Sequence, residues 1–281
     1  MTRQLGVRNH DRDSAGLTYV YPVVSRRAGG VSVGINLNPN NACNWRCVYC
    51  QVHGLKRGSA PPIDLDRLER ELRGFLHTLL HGDFMLTQVP EGARHVVDVA
   101  FSGNGEPTSA REFPPAVELA GRVMREAGLD PDVRLRLITN GSLVGRGRVR
   151  EGLRRLGELG GEAWFKVDAG TMEGFRRINN VDLAPASVVR NLRRCANLCP
   201  TWVQTCVFAL DGVGPTEAEF SGYLELLRQA GVDVLAGVHL YGLARPSMQP
   251  EAPRLSCLPE EHLQTLAGRI RRLGLKVSVS P

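Results

Sequence analysis

The chain has 281 residues, of which 42% are hydrophobic and 23% charged, and its formal net charge is +6. That length supports a sizeable core, as one large domain or two small ones, and the composition excludes disordered and fibrous classes. No apolar run approaches the ~20 residues that span a bilayer. The polar N-terminus "MTRQLGVRNHDRDSAG" lacks the apolar segment of a secretory signal, so no membrane partner and a cytoplasmic location are expected.

Residues 1–20 are expected to be flexible. Arg26 and Arg27 follow, placed to meet a substrate phosphate or to cap a barrel floor. Strands are predicted at 31–37, 96–102, 133–139, 163–168, 201–208, 232–241 and 275–280. Between them the apolar spacing predicts helices at 64–80, 114–127, 147–159, 186–198, 216–230 and 259–273. Leu65, Leu68, Leu72, Phe75, Leu76 and Leu79 form the stripe of the first, and Gly128, Gly160 and Gly231 stand where helices should end. Strands alternating with helices mean βαβ units and a parallel sheet. We expect an α/β fold with parallel strands, an incomplete (β/α)6-type TIM-like barrel in one domain over 1–281, with 247–281 as a C-terminal extension. Functional residues then gather at the C-terminal strand ends.

The loop after the first parallel strand reads "ACNWRCVYCQ" and carries Cys43, Cys47 and Cys50. Seven cysteines in a long chain without a signal argue against disulfides and for metal or redox chemistry. A bare C-x-x-C fits zinc, thioredoxin-like chemistry or neither. Structural zinc takes four ligands, and the nearest further candidate is His53. Three thiolates on one loop can hold three corners of a [4Fe–4S] cube, leaving the fourth iron open.

After the second strand, Gly103, Asn104, Gly105, Glu106 and Pro107 make a glycine turn that brings backbone close to a ligand and offers a carboxylate to a cation. Thr139 and Asn140 end the third strand; an Asn-Gly turn alone would also explain them. Lys166 and Asp168 are two apart and share a face, as a pocket pair or a structural ion pair, and are the candidate catalytic residues. Gln204 lies on the pocket rim or in a satisfied core bond, and His239 and Tyr241 follow on the next strand. Cys195, Cys199, Cys206 and Cys257 are either inert thiols or a second cluster site. Arginines cluster at 146, 148, 150, 154 and 155 and at 190, 193 and 194, as solvated helix faces or an RNA footprint.

The C-x3-C-x2-C spacing with Tyr49 before the last cysteine, followed by "GNGEPT", resembles the radical S-adenosylmethionine (radical SAM) superfamily. The order of "ITNGSL", "KVDAGTMEGFRRIN", "VQT" and "VHLYGLARP" is similar to that of the wyosine-type tRNA base synthases, over roughly residues 20–246. The resemblance implies a [4Fe–4S] cluster on Cys43, Cys47 and Cys50. It further implies S-adenosylmethionine bound by Tyr49, residues 103–107, Thr139, Asn140, Asp168 and Gln204, and a 5′-deoxyadenosyl radical that abstracts hydrogen from substrate. A flavodoxin- or ferredoxin-type electron donor and an RNA substrate are the implied partners. Those synthases place a second cluster on cysteines upstream of the first, and residues 1–42 contain none. The alternative is a non-catalytic iron–sulfur or zinc redox sensor that binds nucleic acid, which has no need of the 103–107 turn.

Overall fold

The computed structural model describes residue 5, residues 15–25 and residues 29–281. Its centre is one eight-stranded sheet: β1 (Val20–Val24), β2 (Val31–Asn36), β3 (Val96–Ser102), β4 (Arg134–Thr139), β5 (Glu162–Lys166), β6 (Thr201–Cys206), β7 (Gly237–Tyr241) and β8 (Val277–Ser280). The strands lie in chain order across the sheet. β1 pairs antiparallel to β2, and every later pairing is parallel. β1 and β8 are the two edges, so the barrel is incomplete, as expected. The edge strand β1 was not anticipated from the sequence. Its Pro22 cannot donate to a sheet ladder, a feature that suits an edge.

The helices are α1 (Leu65–His81), α2 (Phe84–Gln88), α3 (Phe113–Glu126), α4 (Gly147–Glu158), α5 (Met172–Asn179), α6 (Pro185–Ala196), α7 (Glu217–Ala230) and α8 (Glu260–Arg271). Asp64 caps α1 by accepting from Arg67 N, and Thr216 with Glu219 forms a capping box on α7. The sequence did not reveal α2 or α5, both short. Of residues 1–20, Leu5 is buried and its N–H donates to Gln88 O at 2.8 Å. Arg26 and Arg27 lie outside the described residues.

Side chains alternate between the two faces of each strand. Val33, Ile35, Val99, Phe101, Leu137, Phe165, Val203 and Leu240 point to the helices and are fully buried or nearly so. Each such side chain contributes about 1.5–3 kcal/mol, and together they fix which face is outer. The alternate residues, among them Ser32, Asp98, Arg136, Trp164, Lys166 and Gln204, therefore line the barrel interior, where one cavity opens.

Candidate active site

The three cysteines of the 43–50 loop line this cavity. Ala42–Cys43 pairs with Lys56–Arg57 as a two-residue ladder. Cys50 N–H donates to Cys47 O at 2.9 Å. Two donors meet sulfur: Trp45 N at 3.4 Å from Cys43 Sγ and Asn179 Nδ2 at 3.2 Å from Cys47 Sγ. Burial pushes the Cys43 and Cys47 thiols up to about 12, so their ionisation needs a compensating cation or metal. The loop's outer side is strapped by a distant segment. Ser247 Oγ donates to Val48 O at 2.7 Å, and Met248 N donates to Cys50 O at 2.9 Å. Arg46 forms a two-bond pair with Glu251 at 3.0 and 2.7 Å.

Residues 103–107 face the cysteine loop. A Cβ on Gly105 would stand 2.0 Å from Ala42 O, so only glycine lets the two loops touch. Gly103, with φ of +123°, would push a Cβ to 2.5 Å from Asn36 Oδ1. That same oxygen accepts from Asn38 N and Asn104 N. Asn38 Nδ2 holds Ala42 O at 2.9 Å, Asn104 reaches Asn41, and Asn140 Nδ2 reaches Asn44 Oδ1 at 2.8 Å. Six asparagines thus tie three strand ends together. Asn36, Asn38, Asn41 and Asn44 were not among the expected site residues, although the density of asparagine in "NLNPNNACN" was a signal for them.

The Glu106 carboxylate, expected to be offered to a cation, is held by donors of the protein at both of its oxygens. Its Oε1 accepts from Thr108 N, Thr108 Oγ1 and Thr139 Oγ1, and its Oε2 from Asn140 N at 2.7 Å. Burial still pushes its carboxyl up, against those bonds. It lines the cavity, and its first task is to clip the turn after β3 to the end of β4. Thr139 and Asn140 take their places through that clip.

Lys166 and Gln204 are register partners on β5 and β6 and both line the cavity. Lys166 Nζ donates to Tyr241 OH at 3.0 Å and lies 4.9 Å from the Tyr49 ring centroid. Gln204 Nε2 is buried without a partner, which speaks for the first of its two expected placements, on the pocket, over a satisfied core bond. The Lys166–Asp168 ion pair, one of the two readings of their spacing, does not form. Asp168 lies just past β5, where its carboxylate accepts from Tyr49 OH, from Asn179 Nδ2 at 2.9 Å and from Cys206 N at 3.0 Å. Tyr49 is thereby fixed against Phe208, with ring centroids 5.6 Å apart. His239 stacks on Trp202 and lies tilted against Trp164.

The remaining cysteines do not converge. Cys195 and Cys199 lie in the core behind the sheet, Cys206 on the inner wall and Cys257 on the surface. The first arginine array is partly engaged within the fold: Arg154 pairs with Glu158, Arg155 with Glu118 and Glu151, and Arg148 donates to Ser109 O. Among the described residues no helix is long and apolar enough to cross a membrane.

The profile of the radical SAM superfamily matches residues 37–227. The chain belongs to that superfamily, whose enzymes bind S-adenosylmethionine and a [4Fe–4S] cluster. It is 29% identical over 164 residues to the UPF0026 protein MJ1312 of Methanocaldococcus jannaschii, which covers 56% of this chain and 42% of that one. The chain spans less than half the length of the curated relatives it matches. Among solved structures it is similar to Streptococcus suis SuiB bound to S-adenosylmethionine, with a TM-score of 0.59 and 11% identity over 90% of this chain and 51% of that one. It is also similar to TYW1 with a lysine-pyruvate adduct bound, with a TM-score of 0.57 and 15% identity over 96% and 79%. At those identities the likeness is one of fold.

The residues present fit the cluster. N–H groups aimed at sulfur stabilise thiolates more than thiols. Among the described residues, no three Cys, His, Asp or Glu side chains close on a single point as one zinc ion requires. A cube gives each thiolate its own iron, so three cysteines on one loop can hold it.

Proposed function

We propose that the protein is a radical SAM enzyme that draws hydrogen from a substrate held in the barrel interior. One observation supports this most: a single cavity joins Cys43, Cys47 and Cys50 to residues 103–106, Asn140, Lys166 and Gln204, and continues to Trp164 and Arg136. The end at the cysteines and residues 103–106 suits the cofactor and the end at Trp164 and Arg136 the substrate. The cluster, when bound on the three cysteines, supplies one-electron cleavage of S-adenosylmethionine. The protein's own residues orient and shield. Gly105 brings the backbone of its turn against the cysteine loop, Asn140 holds Asn44 at the mouth, and Tyr49 is fixed by Asp168. Electrons come from a flavodoxin- or ferredoxin-type donor. The test is anaerobic reconstitution with iron and sulfide, then dithionite and S-adenosylmethionine. About four irons per chain and formation of 5′-deoxyadenosine are expected; loaded protein that releases none would overturn the reading.

An RNA substrate is the second reading, supported by the charge of +6 and the resemblance to wyosine-type synthases. Binding through phosphates would weaken log-linearly with salt, with a slope near ~0.7 per phosphate on single strands. Filter retention of total tRNA from about 50 to 300 mM salt measures this. No retention at the lowest salt, with the cluster intact, leaves a small-molecule substrate.

A further inference from the structure

We propose that Asn179 is a positioning residue that raises the reduction potential of the cluster through its bond to the Cys47 sulfur; the inference rests on the function proposed above. Asn179 is fully buried at the last position of α5. The end of that helix is docked on the middle of the cysteine loop. Ile178 O accepts from Val48 N at 2.9 Å, Asn179 O accepts from Arg46 N at 3.3 Å, and Asn180 Nδ2 donates to Arg46 O at 3.1 Å. Arg57 closes the junction by donating to both Asn44 O and Asn180 O.

The amide of Asn179 has one allowed orientation. Its Nδ2 stands 3.2 Å from Cys47 Sγ and 2.9 Å from Asp168 Oδ2. Both are acceptors, so the NH2 group and not the carbonyl must face them. Its Oδ1 is buried without a partner. A buried amide oxygen left unpaired costs about 1–3 kcal/mol, and packing alone does not account for keeping asparagine there. Its one use on these contacts is to direct two N–H bonds at a sulfur and a carboxylate.

Reduction adds one electron from an external donor and one negative charge around Cys47, with no proton required. Two features of this corner oppose that charge. The C-terminal end of a helix carries partial negative charge, and the Asp168 carboxylate lies behind Asn179. An N–H on a ligand sulfur stabilises the added charge, and hydrogen bonds to sulfur are among the levers that set cluster potentials. Asn179 is the side chain that offsets both: it places an N–H on the sulfur and a second N–H on the carboxylate. Asp168, in this arrangement, acts through Asn179 and Tyr49 and touches no sulfur itself.

The experiment is a dithionite titration of the anaerobically reconstituted full chain, followed by electron paramagnetic resonance. Asn179→Leu keeps the branched shape and the number of heavy atoms and removes the donor. It should retain the iron content of the unsubstituted protein and show a roughly tenfold lower ratio of reduced to oxidised cluster at a fixed poise, about 59 mV on a one-electron couple. Asp168→Asn, which removes a negative charge from the same network, should move the potential the other way. Asn179→Leu with full iron and an unchanged potential would overturn the proposal and leave Asn179 as a packing residue. Should Asn179→Leu take up no iron, Asn179→Ser, which is smaller and too short to reach the sulfur, is expected to give the same shift, and an unchanged potential there has the same force. If the unsubstituted protein forms no cluster, the functional reading itself fails and this inference falls with it.

Discussion

Lys166 and Asp168 stand two residues apart and make no ion pair. The carboxylate is taken by Tyr49, Asn179 and the Cys206 N–H. The ammonium donates to Tyr241 OH alone. Burial works against its charge, but Tyr241, Asp168 and Cys47 more than offset this and raise its pKa. An ammonium has three donors, and Gln204 beside it holds an unpartnered N–H. The wall they form asks for an acceptor on a bound ligand. Lys166→Met and Gln204→Leu should each weaken S-adenosylmethionine binding about tenfold, since a bond to a charged group contributes about 1.5–3 kcal/mol. Equilibrium binding to the reconstituted protein measures this. Unchanged affinity in both variants would remove the pair from the cofactor site.

The two groups of cysteine should separate cleanly. Cys43→Ala, Cys47→Ala or Cys50→Ala is expected to lose iron and all cleavage of S-adenosylmethionine. Cys257→Ala, on the surface, should keep about four irons and full cleavage. Iron analysis of the four variants decides it, and loss of iron from Cys257→Ala would revive a second cluster.

The clip at Glu106 predicts a coupled loss. Glu106→Gln puts an amide NH2 either where Oε1 meets donors from Thr108 and Thr139 or where Oε2 meets Asn140 N–H. Misplacing one bond there costs about 1–3 kcal/mol, or roughly 2–8 °C in Tm at this size. S-adenosylmethionine affinity should fall with it while iron content holds. A normal Tm with weakened binding would instead make Glu106 a direct ligand. Gly105→Ala is expected to be more severe, because its Cβ meets backbone that cannot yield.

Acid stability should respond to Glu69. Hydrogen bonds from Arg122 on α3 and Arg73 on α1 hold its pKa down to about 2, from an ordinary 4.5. The unfolded chain binds the proton first as pH falls. The stabilisation is therefore full above about 4.5 and is lost progressively as pH drops toward about 2. Glu69→Gln should lower Tm at neutral pH and converge with the unsubstituted protein near pH 2. The gap should shrink in high salt because the cluster is exposed. Thermal melts from pH 2 to 7 test the sign; a gap that widens in acid would refute it.

The fold was legible because periodicity carries it. Each parallel strand alternates buried aliphatics with interior residues, and the long helices have unbroken apolar stripes. β1 escaped notice since Pro22 interrupts it, and α5 because eight residues give only two turns. The site was legible where residue type carries the chemistry, as with the three cysteines and the 103–107 turn. It was not legible where function comes from long-range pairing. Nothing near Asn179 in the chain points to Cys47, 132 positions away. Asp168 likewise looked like a partner of Lys166 because spacing alone does not show that Tyr49 and Asn179 reach it first.

The strap over the cysteine loop sets an order of events during synthesis. Val48 is bonded to Ser247, 199 residues later, and Arg46 to Glu251, 205 residues later. At about 5–20 residues per second, the cysteines leave the ribosome on the order of 10–40 s before the segment that clamps them. Throughout that interval the loop is open to whatever delivers iron and sulfide. Once residues 247–251 arrive, the outer side of the loop is closed by the chain itself. From then on the cavity that Cys43, Cys47 and Cys50 line is the approach to their sulfurs.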